Sequence, residues 1–179
     1  MIKKICIVLL IFSTNGATMI IDDLNNNRAN WSAISDNVMG GISEVNFREY
    51  KEDGKNFYRL EGTVSTKNNG GFIQSIARIP KSPDDYTGVR LQVRGSKDGY
   101  YVWIKTPTRG SRGLPWDRYV AYFEPSEQWT TIEIPFTEFK KSNFYMSKNI
   151  NTSKIQTVAL AAYGKDFEAM LDIAHLEFY

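Results

Sequence analysis

Two stretches of this chain alternate apolar and polar residues with a period of two. Val89, Leu91 and Val93 are separated by Arg90, Gln92 and Arg94, and Val102 and Ile104 lie between Tyr101, Trp103 and Lys105. Successive side chains of a strand leave opposite faces, so each run predicts a half-buried strand with one face on a core and a polar face turned away. Apolar-rich runs at 44–50, 57–65, 72–79, 118–123, 130–134, 156–162 and 169–178 add further strands, about nine or ten in all. Asp53-Gly54 supplies a hairpin turn between the first two of these runs, Pro80 and Pro83 stop the third, and Ser96-Lys97-Asp98-Gly99 turns the chain between the two alternating runs. A Gly/Arg-rich loop at 107–115 follows, and no helical period, repeat or linker interrupts the series. Many short strands with turn residues between them predict an all-β sandwich.

Residues 31–43, Trp-Ser-Ala-Ile-Ser-Asp-Asn-Val-Met-Gly-Gly-Ile-Ser, follow neither period. They read as an ordered loop, with Val38-Met39 as an apolar plug turned back onto the core and Gly40-Gly41 allowing positive φ or a close backbone approach. On this reading Trp31 and Met39 are buried, and Gly41 occupies a backbone position that only glycine tolerates. A second glycine pair recurs in Asn68-Asn69-Gly70-Gly71-Phe72.

At these residues the chain resembles the complex I intermediate-associated protein family of NADH:ubiquinone oxidoreductase assembly factors. The likeness rests on Trp31, on Asp36-Asn37-Val38-Met39-Gly40-Gly41 with Ser43, and on Asn69-Gly70-Gly71-Phe72. It continues through Asp85-Tyr86-Thr87-Gly88, Trp129, Ile134-Pro135-Phe136 with Phe139, and a final strand that ends with Asp172-Ile173. The resemblance implies a galactose-binding-like jelly-roll β-sandwich, similar to some carbohydrate-binding modules, over a single domain at 18–179. It also implies a non-enzymatic role in recognising or chaperoning another protein, including in respiratory complex I assembly. Fold likeness alone does not establish function.

The N-terminus changes the charge balance. Met1-Ile2-Lys3-Lys4, the apolar run Ile5 to Phe12 and the small residues Ser13 to Ala17 form a signal-peptide pattern over residues 1–17, with the mature chain starting between Thr14 and Ile20. The apolar run is too short to span a bilayer, so no transmembrane segment is expected after cleavage. Removing Lys3 and Lys4 takes Lys+Arg from 22 to 20 against 20 Asp+Glu. A neutral mature chain gives no electrostatic reason to bind nucleic acid. Cys6 leaves with the leader, so no intramolecular disulfide forms. The expected location is periplasmic or secreted.

Catalytic chemistry is scarce. His175 is the only histidine, the mature chain lacks a cysteine nucleophile, and no phosphate-binding loop occurs. The chain is read as a non-enzyme with no catalytic residue and no cofactor. A structural Ca²⁺ on Asp22, Asp23 or Asp36 is one reading of the acidic loop residues; caps on backbone N–H groups are the other. If one sheet carries residues 88–123, its polar side gathers Arg90, Gln92, Arg94, Tyr101, Trp103, Lys105, Arg118 and Tyr122. Such an aromatic and guanidinium surface suits a protein partner or a glycan, whereas the same residues can also cover a core and face water. As a recognition surface, Arg94, Trp103 and Arg118 are expected to be replaceable without loss of the fold. An exported chain would not reach the side on which the redox arm of complex I is built. Two classes therefore stay open: an assembly-factor-like binder of polypeptide and an exported carbohydrate-binding module.

Overall fold

The computed structural model describes residues 18–80, 86–107, 114 and 116–179. The leader-like segment lies outside them. The strands are β1 (Met19–Asp22), β2 (Asn30–Ser35), β3 (Asn46–Glu52), β4 (Lys55–Val64), β5 (Phe72–Arg78), β6 (Gly88–Gly95), β7 (Tyr100–Lys105), β8 (Tyr119–Phe123), β9 (Thr130–Pro135), β10 (Lys140–Lys141), β11 (Thr157–Tyr163) and β12 (Phe167–Phe178). They pair antiparallel in two sheets. The first runs β3-β4-β12-β6-β9 with β1 also on β12; the second runs β10-β8-β7-β11-β5-β2.

Local chemistry explains the turns. Between β3 and β4 both Asp53 (φ 49°) and Gly54 (φ 78°) take positive φ, the conformation that matches a two-residue hairpin to the twist of its strands. In β12 the register slips between Ile173 and His175. This bulge moves the inward phase from Leu171 and Ile173 to Leu176 and Phe178, and turns His175 and Glu177 outward.

The core lies between the sheets. Val89, Leu91 and Val93 of β6 meet Val102 and Ile104 of β7, Val158 and Leu160 of β11, and Ile73 of β5, all fully buried. Each such side chain contributes roughly 1.5–3 kcal/mol by leaving water. The alternation in the sequence therefore identified the inward residues of β6 and β7 correctly.

Two expectations are corrected. Residues 30–35 are not loop: β2 pairs with β5 along its length, Trp31 opposite Ala77 and Ile34 opposite Gln74. Its irregular sequence pattern reflects an edge strand whose outward side mixes Asn30 and Ser32 with Ile34 and whose inward side holds Ala33 and Ser35 beside Trp31. The residues 88–123 also do not share one sheet. After β6 the chain crosses to the other sheet at 96–99, held by Gly95 N–H on Ser126 O at 2.9 Å and Ser96 N–H on Met170 O at 3.0 Å. A period of two tells inward from outward, but not which sheet a strand joins.

Candidate functional site

Asp36 organises the glycine-rich motif. It begins a 3-10 turn, Asp36–Met39, and is fully buried. One carboxylate oxygen accepts Ser43 N–H at 2.9 Å; the other accepts the Ser43 hydroxyl at 2.5 Å, Gly71 N–H at 2.5 Å and Phe72 N–H at 3.1 Å. Burial pushes the Asp36 carboxyl up, but the hydrogen bonds from Gly71, Ser43 and Phe72 outweigh it and hold the group below its usual value. The stability this supplies is present above the ordinary carboxylate range and is lost as pH falls through the lowered native value.

The hub explains its glycines. A Cβ on Gly41 would sit 2.3 Å from the Asp36 carboxyl carbon, and one on Gly70 would sit 2.5 Å from its oxygen. Gly41 is thus required by the carboxylate beside it; the positive φ values belong to Gly40 (87°), which caps the turn, and Gly71 (121°). Trp31 packs on Phe47 and Tyr58, with ring centroids 5.4 and 5.7 Å away, and donates Nε1–H to Asp22 at 2.7 Å. The apolar plug does not exist. Val38 is 68% and Met39 62% exposed, with Asn37 also in solvent, because the short turn points its tip away from the sandwich.

The acids offered as calcium ligands serve backbone N–H groups, Asp22 and Asp23 those of the loop between β1 and β2. Asp22 accepts from Leu24 N–H and Ala29 N–H at 2.8 Å each, and Asp23 from Asn25 and Asn27 N–H at 2.9 Å each. With Asp36 committed to its hub, these three carboxylates do not converge on one point. Among the described residues no group of three or more His, Cys, Asp or Glu side chains is placed to hold a metal.

The sequence-derived binding surface splits between the two outer faces. On the first sheet, Arg90, Gln92 and Arg94 stand on β6. Asp172 of β12, fully buried, receives Arg59 Nε at 2.6 Å and Arg94 Nε at 2.8 Å, and Arg94 also pairs with Glu52. Arg90 pairs with Glu133 at 2.7 Å and with Glu177, which also meets His175 at 3.0 Å. The aromatic rings here are already covered: Arg94 lies 5.1 Å from Phe57 and 4.9 Å from Trp129, and Lys55 4.7 Å from Trp129.

The second sheet carries Tyr101, Trp103 and Lys105 on β7 and Tyr122 on β8, with Arg118 just before β8. Cross-strand register lays this face out in rows: Tyr122, Tyr101, Ala161, Gln74 and Ile34, then Val120, Trp103, Ala159, Ile76 and Ser32. Ala159 and Ala161 form a low floor between larger neighbours. Tyr101 meets Tyr122 at 5.4 Å and Tyr163 at 5.8 Å, both edge to face, and Trp103 meets Tyr163 at 5.6 Å and Phe72 at 6.1 Å. Tyr163, absent from the sequence-derived surface, enters through β11 with only its outward phase as a signal; Phe72, read from the sequence as part of the glycine motif and not as a surface residue, enters through β5. Tyr122 and Tyr163 are 52% and 44% exposed. The Tyr122 hydroxyl donates to Glu124, which pushes its pKa up to about 12.

Trp103 points outward as expected, but it is only 3% exposed. Arg118 lies 3.6 Å over its ring, and Phe72, Ala159 and Ala161 complete a small apolar cluster. Trp103 therefore cannot be truncated without affecting the fold. Among the described residues, Trp103 Nε1 and Arg118 Nε are both buried without a hydrogen-bond partner, and burial pushes the Arg118 guanidinium down from its usual pKa.

Residues 22–173 match the family described as complex I intermediate-associated protein 30. The chain belongs to this family. No curated protein sequence matches it. Among solved structures it is similar to the family 11 carbohydrate-binding module of the cellulosomal cellulase Lic26A-Cel5E of Clostridium thermocellum, at 16% identity over 90% of this chain and 94% of that one, with a TM-score of 0.74. The family 11 module of that organism in complex with a β-1,3-1,4-mixed-linked tetrasaccharide matches at 17% identity, the same coverage and the same TM-score. The family 30 module of its cellulase Cel9D-Cel44B matches at 10% identity over 91% and 97% of the two chains, TM-score 0.66. These likenesses make the fold a galactose-binding-like jelly roll. Like them, this family member is built as a sandwich of two antiparallel sheets.

Proposed function

We propose that this chain is a non-catalytic glycan-binding domain that lays an extended carbohydrate across the outer face of its second sheet. The observation that carries the reading is the platform of Tyr101, Tyr122 and Tyr163, in which Tyr101 meets both other rings and Tyr122 and Tyr163 are exposed, above the small buried residues Ala159 and Ala161. Sugar rings present apolar C–H faces that pack on aromatic rings while their hydroxyls take hydrogen bonds at the margins. The structural neighbours support it, since they are carbohydrate-binding modules and one holds a mixed-linked tetrasaccharide. Export by the N-terminal segment belongs to the same proposal, because it would bring the domain to extracellular glycans; a secreted form beginning between residues 14 and 20 is the expected product, and intact Met1 on the folded protein would refute it.

A second reading, recognition of a polypeptide during assembly of a complex, is supported by the family and by the exposed tip of Val38, Met39 and Ile42, the last 47% exposed. A glycan array beside affinity capture separates the two. Tyr122→Ala and Tyr163→Ala should each weaken glycan binding by roughly 1–3 kcal/mol and leave stability within about 1 kcal/mol. Enrichment of a polypeptide that survives both changes and is lost in a Val38→Ser, Met39→Ser variant would instead favour the second reading.

A further inference from the structure

The outer face of the second sheet is chemically uneven along its strands. At the β8 end of the tyrosine row, Glu124 bonds the Tyr122 hydroxyl. Four residues along β7, roughly 13 Å away, the register brings Lys105, Thr157, Arg78 and Asn30 into one row across β7, β11, β5 and β2. All four residues of that row line a cavity of about 1110 Å³ that Asn26, Asn27 and Arg28 also line. The cavity is lined by Arg28, Arg78 and Lys105 and, among the described residues, by no carboxylate. Arg28 is committed to Glu49 at 2.8 Å. Arg78 is exposed, and among the described residues no ion pair engages it.

We infer that this cavity takes a carboxylate-bearing sugar, so that the glycan bound across the tyrosines is a uronate-containing one. The inference rests on the glycan reading above and adds its charge. A planar guanidinium binds a carboxylate through two parallel N–H bonds, and such charge-assisted bonds are about twice as strong as neutral ones. Arg78 lines the cavity, exposed, between Thr157 and Asn30 in register, hydroxyl and amide groups suited to the ring hydroxyls of the same sugar. The neutral, aromatic part of the face then holds the neighbouring sugar rings, and Glu124 disfavours a second carboxylate at the far end.

The test is calorimetric titration of the full mature chain with a hexamer of galacturonate and a neutral hexamer of mixed-linked glucose, at low and at physiological salt. The uronate should bind about tenfold more tightly, with the advantage shrinking as salt rises. Arg78→Ala should remove that advantage, leave the neutral hexamer unchanged and leave the melting temperature unaltered, as expected of an exposed side chain. Arg78→Lys should keep part of it, because the charge remains while the paired N–H geometry is lost. Equal binding of the two hexamers, or a uronate advantage that survives Arg78→Ala, would overturn the inference and leave the glycan reading standing. A sulfated oligosaccharide that outcompetes the uronate would overturn the carboxylate assignment. If neither hexamer binds, the glycan reading itself fails and the inference with it.

Discussion

The two outer faces of this sandwich contain nearly the same residue types, yet only one of them has chemistry left over. On the first sheet every arginine of β6 and β4 meets a carboxylate from a neighbouring strand, and those guanidinium groups in turn cover Phe57 and Trp129. On the second sheet no strand residue facing outward is acidic among those described. Tyr101 meets Tyr122 and Tyr163 edge to face, and the indole N–H of Trp103 and the Nε–H of Arg118 lie buried without acceptors among the described residues. A buried donor without an acceptor costs about 1–3 kcal/mol, so the second face carries a cost in its interior that the first, whose guanidinium groups meet carboxylates, does not. Arginine and aromatic content therefore does not mark a recognition surface; the placement of carboxylates opposite them decides.

The largest expected effect breaks the closed face. Asp172→Ala leaves Arg59 and Arg94 facing each other, each less than a quarter exposed, without the carboxylate they share. Removing one partner from a buried ion pair typically costs about 3–5 kcal/mol. Thermal unfolding should show a fall of roughly 6–20 °C for a chain of this size, while glycan affinity at the other face stays unchanged. A melting temperature within about two degrees of wild type would mean that the network is dispensable, and the contrast between the faces would lose its physical basis.

Trp103→Ala should cost about 3 kcal/mol and weaken glycan binding together, because the indole both fills the small cluster with Phe72, Ala159 and Ala161 and supports Tyr163 from below. Trp103→Phe separates the two roles: the smaller ring keeps much of the packing but removes the unpaired N–H, so stability should recover more than affinity does. If Trp103→Ala lowers affinity at unchanged stability, the ring is not covered as its 3% exposure implies.

The contrast also marks what the sequence could disclose. The inward positions of β6 and β7 were legible because a period of two forces alternate residues to one side. The family motif was legible as a string, and its chemistry was not: that Gly41 and Gly70 are glycines because one carboxylate fills both spaces requires the pairing of residue 36 with residues 43, 71 and 72. The assignment of Arg90 and Arg94 to the same surface as Trp103 and Tyr122 failed for a related reason. The segment 96–99 looks like a hairpin turn, but the chain uses it to change sheets. The acids that neutralise Arg94, Asp172 and Glu52, are 78 and 42 residues away in sequence, and no local pattern announces register at that range. Tyr163 escaped notice because it closes a strand whose outward residues are otherwise threonine and alanine.

The smallest expected effect sharpens the comparison within a single network. Glu52 and Asp172 both accept from Arg94, but the Glu52 side chain is 54% exposed and that of Asp172 is fully buried. If burial rather than the count of ion pairs makes the first face rigid, the two acids differ sharply in worth. Glu52→Gln keeps the side-chain length and an oxygen that can still accept from Arg94, and water solvates whatever the lost charge leaves behind. Exposed pairs contribute about 0–1 kcal/mol, so the variant should melt within about two degrees of wild type, the shift that a few tenths of a kcal/mol produces in a chain of this size. Raising the salt should shrink even that difference, since exposed charges are screened within about 10 Å. In the double variant Glu52→Gln, Asp172→Ala the loss should equal that of Asp172→Ala within about 0.5 kcal/mol. A much larger combined loss would show that Glu52 takes over the arginines when Asp172 is gone, and that the closed face owes its stability to total charge balance and not to one buried carboxylate.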